Sequence, residues 1–526
     1  MRKRHAAVDL PPVFDLTGAG EIPGAETAGF KAYNLMRMAS LGLPVPPGFV
    51  LPTHWCHAEL AGDLSDSVLE YRLREAIDRL EQATGQGFGD ARRPLLVSVR
   101  SGAPVSMPGM MDTVLNIGLC ESTLKGLLRA SGDPRLVWDS YRRLLESFAT
   151  LVAGAEATPY ADALENLLAR QRLERAEQLD FRALRALSQT YLEIYRAARG
   201  EDFPRDPFGQ LVPAVRAVFR SWNSERARAY RRMHGIADEL GTAVTVQRMV
   251  FGNAGVGSGA GVAFTRDPAS GAKQLYVDWL GNAQGEDIVS GRRSLDPVPP
   301  PPTVVTRLEE ISGVLEREFG DVQELEFTVE HGVLYLLQTR AAKRTPLAML
   351  RTVVELAEEG RIDAAQAHER LRGIDPDKIE LRRVETAEAP LAQAVAASLG
   401  VAVGPIALDA AAAQRYAKAG TPAILVRPET STDDIAGIAV AAGLLTASGG
   451  RTSHAAVVAR QMGVVVLVGC PVLVTHLDER SVSIGDHRLK EGDALCLDGD
   501  TGAVYARAPN IRVEKPVDLL ERLRRL

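Results

Sequence analysis

Residues 448–460 read Ser-Gly-Gly-Arg-Thr-Ser-His-Ala-Ala-Val-Val-Ala-Arg, and no other stretch constrains the chain as tightly. The paired glycines Gly449 and Gly450 let the backbone turn sharply. Thr452 and Ser453 are both good helix N-caps, and the Ala/Val run behind them starts a helix. The pattern puts His454 on a first helical turn, where unpaired N–H groups and the positive end of the dipole meet any anion held there. The same field disfavours imidazolium, so His454 is expected to stay neutral and nucleophilic near pH 7. A neutral imidazole that can attack phosphorus, beside amides that can cradle the phosphate, is a phosphohistidine site. The alternative is a histidine that merely caps a helix, and the flanking residues weigh against it.

Those flanks resemble the phosphohistidine motif of the pyruvate phosphate dikinase and phosphoenolpyruvate synthase family. The likeness runs upstream through Ile424-Leu-Val-Arg-Pro-Glu-Thr-Ser431 and Gly443-Leu-Leu-Thr446, and downstream through Gln461-Met-Gly463 and Val468-Gly-Cys470. It covers nearly the whole chain, from about residue 20 to 508.

Size and composition bound the rest. A chain of 526 residues has room for two or three domains, each with its own core. Hydrophobic residues at 46% and charged residues at 24% are ordinary for a globular protein. A formal net charge of −6 leaves no basic excess for phosphate backbones, so no nucleic-acid partner is expected. The longest apolar run, about 435–447, is too short and Gly-rich to span a bilayer, and no apolar core follows the basic N-terminus. Cys56, Cys120, Cys470 and Cys496 are far apart, with no metal-ligand spacing, as expected of reduced, buried thiols in a cytoplasmic protein.

Along the chain, short apolar runs alternate with helical patterns from about 9 to 119, which suggests an α/β layer. Residues 120–205 turn helical and charged, with heptad-like spacing over Leu136–Leu145 and around Tyr191–Tyr195, and read as an insert. Strand patterns return from Thr245. The run Asp296-Pro-Val-Pro-Pro-Pro-Pro302 reads as an extended loop. A helix over Val304–Phe319, a hairpin over Glu324–Arg340 and a helical stretch over Pro346–Leu371 come next. The charged segment Asp375–Glu388 and the tail after Ala508 have few aromatics and are expected not to dock firmly, leaving the His domain free to swing. A short amphipathic helix, Val517–Leu526, ends the chain.

Four segments carry phosphate chemistry. Ala28-Gly-Phe-Lys31-Ala-Tyr-Asn-Leu35 resembles the start of the dikinase nucleotide-binding domain, with Lys31 at the position of its phosphate-contacting lysine. Ala28 and Phe30 stand where that family usually has glycines. Leu95-Leu-Val-Ser-Val-Arg100-Ser-Gly delivers a guanidinium at a strand end, where it can grip phosphates bidentately. The block Ser106-Met-Pro-Gly-Met-Met-Asp112 after it resembles the phosphate-using dikinases more than the synthases. Between Val250 and Arg266, glycines at 252, 255, 257, 259 and 261 offer backbone N–H groups to phosphates. This loop lies between Gln247 and Glu286-Asp287, which the resemblance adds to the nucleotide site.

In the fourth segment, alternation puts Leu325, Phe327 and Val329 on one face and Glu324, Glu326 and Thr328 on the other. A three-residue loop, His331 to Val333, would set Glu326 opposite Gln338 and Glu324 opposite Arg340. Oxygen ligands of this kind suit Mg²⁺ on nucleotide phosphates, with Glu326 and Gln338 as metal ligands. Cross-strand ion pairing on a solvated face is the alternative. Glu324 stands where the dikinases have Asp.

The resemblance implies an α/β and α+β multidomain chain: an ATP-grasp nucleotide-binding domain over 1–345 with its helical insert, a helical and charged linker over 346–390, a swivelling β/β/α phosphohistidine domain over 391–508, and a tail over 509–526. It implies that His454 attacks ATP with Mg²⁺ as cofactor, that AMP leaves, and that inorganic phosphate then takes the terminal phosphoryl group as PPi. Lys31, Arg100 and Arg340 would neutralise the transferring phosphates, and Gly449, Gly450, Thr452 and Ser453 would form the phosphohistidine loop. Full-length dikinases continue into a (β/α)₈ barrel that binds pyruvate, and no such pattern appears here. Pyruvate on a separate protein is therefore the expected acceptor. A different small-molecule acceptor and a non-catalytic ATP-sensing module are the alternatives.

Overall fold

The computed structural model describes residues 10–105, 107, 110–289, 299–430, 434–451, 454–507 and 509–526. It divides into two compact units. The first holds the chain up to Gly255 together with Tyr335–Gln338, and the second holds Val256–Leu334 and Thr339–Leu526. This differs from the expected block over 1–345, because residues from Val256 onward cluster with the C-terminal part of the chain.

The first unit is built on β1 (Phe14–Asp15), β2 (Gly48–Leu51), β3 (Val97–Gly102), β4 (Thr113–Ile117) and β5 (Ala243–Arg248). Their order is β1-β2-β5-β3-β4, and every pairing is antiparallel. The alternating pattern over 9–119 thus makes an antiparallel sheet, with the last strand supplied from beyond the helical region. Three helices belong to this layer: α1 (Ala25–Ser40), α2 (Thr53–Ala61) and α3 (Asp66–Thr84).

The helical region comprises α4 (Glu121–Ser131), α5 (Pro134–Ser147), α6 (Thr158–Gln171), α7 (Phe181–Arg199), α8 (Pro207–Ser221) and α9 (Glu225–His234). It therefore runs past residue 205. Local chemistry starts these helices. Asp133, Asp180, Asp206 and Ser224 each accept a backbone N–H at an N-cap, a contact that contributes about 1 kcal/mol. Pro134 and Pro207 occupy first-turn positions that lack an N–H partner anyway. Inside, Tyr141, Phe148, Tyr195 and Phe203 pack edge-on or tilted around one another. Asp139 is buried there between Arg142 and Arg143, at 2.9 Å from each.

The second unit begins with β6 (Gly259–Phe264), β7 (Tyr276–Gly281), α10 (Gly285–Val289), α11 (Pro302–Phe319), β8 (Gln323–Glu330) and β9 (Val333–Ala341), with sheet order β7-β6-β8-β9. Helix α11 already begins at Pro302, the last proline of the run read as a loop. Residues 290–298, which include the start of that run, lie outside the described residues. Next come α12 (Pro346–Glu358) and α13 (Ala364–Arg370), two helices where one stretch was expected, separated at Gly360 with φ 67°. The buried Arg266 fastens α12 to this sheet, meeting Glu316, Glu355 and Glu359 at 2.8–3.1 Å.

After β10 (Leu381–Glu385) the chain enters an eight-stranded sheet: β11 (Ala392–Gln393), β12 (Val395–Ala396), β13 (Val401–Ala407), β14 (Ile424–Arg427), β15 (Gly443–Thr446), β16 (Val465–Val468), and later β20 (Ala494–Asp498) and β21 (Ala503–Tyr505). Its centre, β13-β14-β15-β16, is parallel. Parallel strands need crossovers, and α14 (Ala410–Lys418), α15 (Ile435–Ile438) and α16 (His454–Gln461) supply them. A small sheet of β17 (Leu473–His476), β18 (Ser481–Ile484) and β19 (His487–Lys490) is set between β16 and β20 in sequence.

The two segments expected to stay undocked are in fact paired. β10 forms an antiparallel ribbon with β22 (Asn510–Glu514), in register from Leu381↔Glu514 to Glu385↔Asn510. The final helix α17 (Val517–Leu523) buries Leu520 against the Leu350, Val353 and Ile379 core formed by α12 and its neighbours. Alternating charges that looked solvated find partners here, Arg522 with Glu358 and Arg524 with Asp377. Among the described residues no helix is long and apolar enough to cross a membrane.

Candidate functional site

In the first unit, α1 is one helix only in name. Gly29, with φ 75° and ψ 149°, breaks it, so a fresh helical segment starts at Phe30 and Lys31 stands on its first turn. The break is forced by close packing: a Cβ on Gly29 would lie 1.8 Å from the Gly102 carbonyl oxygen. Phe30 N donates to Ala103 O at 2.9 Å, which fastens the new segment to the end of β3. Ala28 and Phe30, where the family usually has glycines, are thereby accommodated, because Gly29 alone carries the turn.

Strand β3 brings Arg100 to the same place. In the β3–β5 register Arg100 faces Thr245, Gly102 faces Ala243, and Ser98 faces Gln247, so these side chains share one face of the sheet. Arg100 Nη1 donates to Leu337 O at 3.5 Å, which brings the middle of β9, with Gln338 next in sequence, beside the guanidinium. Gln247 is buried, and its side-chain amide donates to Pro46 O at 2.9 Å. This fixes the turn before β2 and uses one of the amide's two N–H donors. The Met-Pro-Gly block is only partly visible, since 106, 108 and 109 lie outside the described residues. A cavity of about 660 Å³ is lined by Asp66, Asp112, Phe208, Val212 and Arg216, and by none of Lys31, Arg100 or Arg340.

In the second unit, two of the expected phosphate-loop glycines have another job. Gly259 and Gly261 lie inside β6, with their backbone in the ladder with β7 and β8. A Cβ at Gly259 would strike the Trp279 ring and one at Gly261 the Phe327 ring, and those rings stack at 6.0 Å. Gly255 and Gly257, with φ 84° and 78°, keep the loop conformation the sequence suggested. Asp287 accepts the Gln284 N–H at 3.0 Å, so its carboxylate helps to start α10. Glu286 lies on that short helix, and its side chain lies outside the described residues.

The hairpin turn holds two residues, His331 and Gly332, with φ 49° and 81°, and not three. Both central residues have positive φ, as a tight two-residue hairpin turn demands. A two-residue turn alone would put Glu324 and Arg340 on opposite faces. Burial along β9 shows how they meet nonetheless: alternation slips at Leu337 and Gln338, both half-buried, after which Arg340 returns to the face of Glu324. Arg340 Nη2 then reaches Glu324 Oε1 at 2.5 Å. Burial would lower the guanidinium's pKa, but Glu324, and behind it Glu326, raise it on balance. The other carboxylate oxygen, Glu324 Oε2, is buried without a hydrogen-bond partner. An orphaned carboxylate oxygen one alternate position from Glu326 suits a hard cation that takes its remaining ligands from phosphate and water. Lys343 is a cation the sequence reading missed; burial, and then Arg340, pull its ammonium below the usual lysine range.

His454 opens α16, immediately after the loop that leaves β15. It stands at the carboxyl end of the parallel strands, where open parallel sheets present their ligand crevices. Loop contacts hold that end in shape. Arg427 pairs with Asp434 and donates to Leu408 O, and Ser448 donates through both N and Oγ to Pro428 O. Gly449 takes φ 101°, and Gly450 is buried. Thr452 and Ser453 lie outside the described residues, as does the placement of the His454 side chain.

Two further arginines of this motif were not singled out from the sequence. Arg451 sits 4.7 Å over the Tyr276 ring of β7, and Tyr276 O–H donates to Asp278 at 2.6 Å. Arg460 is buried 5.6 Å from the Phe264 ring of β6, and burial pulls its guanidinium below the ordinary value. The histidine loop and helix thus contact β6 and β7 directly. The signal that could have found both arginines was their place inside the quoted 448–460 run.

Comparison with known proteins gives two family models. Residues 57–299 match the model described as "Pyruvate phosphate dikinase, AMP/ATP-binding domain", and residues 420–502 match "PEP-utilising enzyme, mobile domain". Among curated proteins, the chain is 40% identical over 487 residues to a pyruvate, phosphate dikinase of Clostridium symbiosum, covering 91% of this chain and 56% of that protein. It is 40% identical over 513 residues to one of Rhizobium meliloti (strain 1021), covering 93% and 57%. It is 41% identical over 519 residues to a chloroplastic one of Zea mays, covering 95% and 55%. The chain therefore spans about half the length of the curated relatives it matches.

Proposed function

This chain belongs to the pyruvate phosphate dikinase family, and we propose that it carries out the nucleotide half of a dikinase reaction. A His454 ring nitrogen attacks the β-phosphorus of ATP, and the bond from that phosphorus to the α–β bridging oxygen breaks, releasing AMP. An oxygen of inorganic phosphate then attacks the terminal phosphorus of the histidine-bound pyrophosphate. PPi leaves, and one phosphoryl group stays on His454. The acceptor in this proposal is pyruvate.

The observation that supports the reading is that the Lys31 Cβ packs beside Gly102, two residues along β3 from Arg100 on the same face, with Leu337 of β9 at the Arg100 guanidinium. Phosphoryl transfer is mostly positioning and charge compensation, so two preorganised cations are what the chemistry asks of a protein. By the resemblance Arg340, which Glu324 orients, would be a third. Glu326 and Gln338, with the spare oxygen of Glu324, would hold Mg²⁺, whose charge would offset that of the phosphates. By the resemblance, Gln247, Glu286 and Asp287 would also contact the nucleotide.

Phosphate dependence tests this. With ATP and Mg²⁺, PPi should accumulate only when inorganic phosphate is supplied. Release of AMP and free phosphate without added phosphate would instead put the chain with the water-using synthases.

A further inference from the structure

The Thr245 hydroxyl poses a problem. It lies in the middle of β5, the residue is fully buried, and Oγ1 has no hydrogen-bond partner. Buried hydroxyls are nearly always paired, and an unpaired one costs stability that a valine of the same shape would not. A strand core tolerates valine at such a position at least as well as threonine. What singles Thr245 out is its neighbourhood. It stands directly across the β3–β5 ladder from Arg100, on the same face. A methyl placed on Gly102, the next position of that face, would sit 3.7 Å from Lys31 Cβ and 4.0 Å from Thr245 Oγ1. The unpaired oxygen therefore lies on the face that carries Arg100, close to where the Lys31 side chain leaves α1.

We infer that Thr245 is a positioning residue of the nucleotide site, its hydroxyl oxygen accepting an N–H of Arg100 once phosphates draw that guanidinium inward from Leu337 O. The 3.5 Å contact to Leu337 O is at the outer edge of hydrogen-bond length and is cheaply exchanged. A guanidinium anchored from beneath by a neutral acceptor keeps its outward N–H groups for the phosphates and loses less freedom when it binds them. Thr245 touches no substrate in this arrangement and acts through Arg100. The inference rests on the nucleotide reading above and adds a residue to it.

The test is titration calorimetry of the full chain with the Mg²⁺ complex of a non-hydrolysable ATP analogue bearing an α,β-methylene bridge, alongside thermal unfolding. Thr245→Val should weaken binding roughly tenfold, the worth of a hydrogen bond to a charged group, while its unfolding temperature stays at or above that of the parent. Thr245→Ser, which keeps the oxygen, should bind within about threefold of the parent. In an Arg100→Met background, Thr245→Val should cost nothing further, since the two act as one unit. Parent-like binding by Thr245→Val would overturn the inference. So would equal weakening by Val and Ser, or the same loss with and without Arg100, because each marks a purely structural role. If the parent chain binds no nucleotide, the nucleotide reading itself falls, and the inference with it.

Discussion

Gly29 and Gly102 are packed so closely that no side chain fits between them: a Cβ on Gly29 would stand 1.8 Å from the Gly102 carbonyl oxygen. This one contact restarts α1 beneath Lys31 and clamps it to the strand that carries Arg100. Gly29→Ala should therefore separate the two cations. Its positive φ and the clash together are expected to cost about 2–3 kcal/mol of stability. Nucleotide affinity should fall even at temperatures where the variant is folded. Circular dichroism melts paired with nucleotide titration check this, and an alanine variant with parent-like affinity would mean that the Gly29 contact does not set the site.

The Glu324–Arg340 pair is a second test of how the site is braced. Arg340→Met strands a carboxylate that is almost fully buried, and such a loss typically costs about 3 kcal/mol or more. Glu324→Gln in the same chain should restore part of it, because the stranded charge is gone. Urea unfolding of the two single variants and the double variant gives the coupling. Additive losses would show that the pair is incidental.

Acid sensitivity should reach into the helical region through Asp139. Burial would raise this carboxyl, but Arg143 and Arg142 overcome it and hold it at about 2, below the ordinary 3.8. Because the folded value is the lower one, the stabilisation is present in full above pH 3.8 and is lost as pH falls toward 2. The shift corresponds to roughly 2 kcal/mol. The difference in urea midpoint between the parent chain and Asp139→Asn should thus be constant from about pH 5 to 7 and shrink below about pH 4. A difference that is flat through about pH 3 would contradict the pairing.

How much of this was legible in the sequence depended on whether the deciding contact was local. His454 at the start of a helix, the strand that ends near Arg100, and the helix expected over Val304–Phe319 were readable because caps, glycines and apolar spacing act within a few residues. The roles of Gly259 and Gly261 were not, because the Trp279 and Phe327 rings that exclude a Cβ come from other strands. The hairpin shows both sides. The apolar alternation correctly paired Glu324 with Arg340, yet the turn is a residue shorter than supposed, and a slip at Leu337–Gln338 makes up the difference. Charge-rich segments misled most. Residues 381–385 and 510–514 look like solvated tethers one at a time, and only their mutual pairing, about 125 residues apart, makes them a ribbon.

That ribbon should protect both segments from proteases. Leu520→Asp puts a charge into the core that α17 shares with α12 and is expected to loosen α17 first and β22 with it. Limited proteolysis read by mass spectrometry should then find cuts within 375–388 and 509–526 that the parent chain resists. Equal cutting of the parent would mean that the ribbon opens freely and the tethers are as loose as their composition suggests.

The central claim is that His454 carries the phosphoryl group, and labelling tests it most directly. ATP carrying ³²P at the β-position, with Mg²⁺ present, should leave an acid-labile, base-stable label on the parent chain, with the labelled peptide containing His454. His454→Ala should retain the fold and the nucleotide affinity and take up no label. Label on the His454→Ala chain, or a parent chain labelled only by γ-³²P-ATP, would contradict the account.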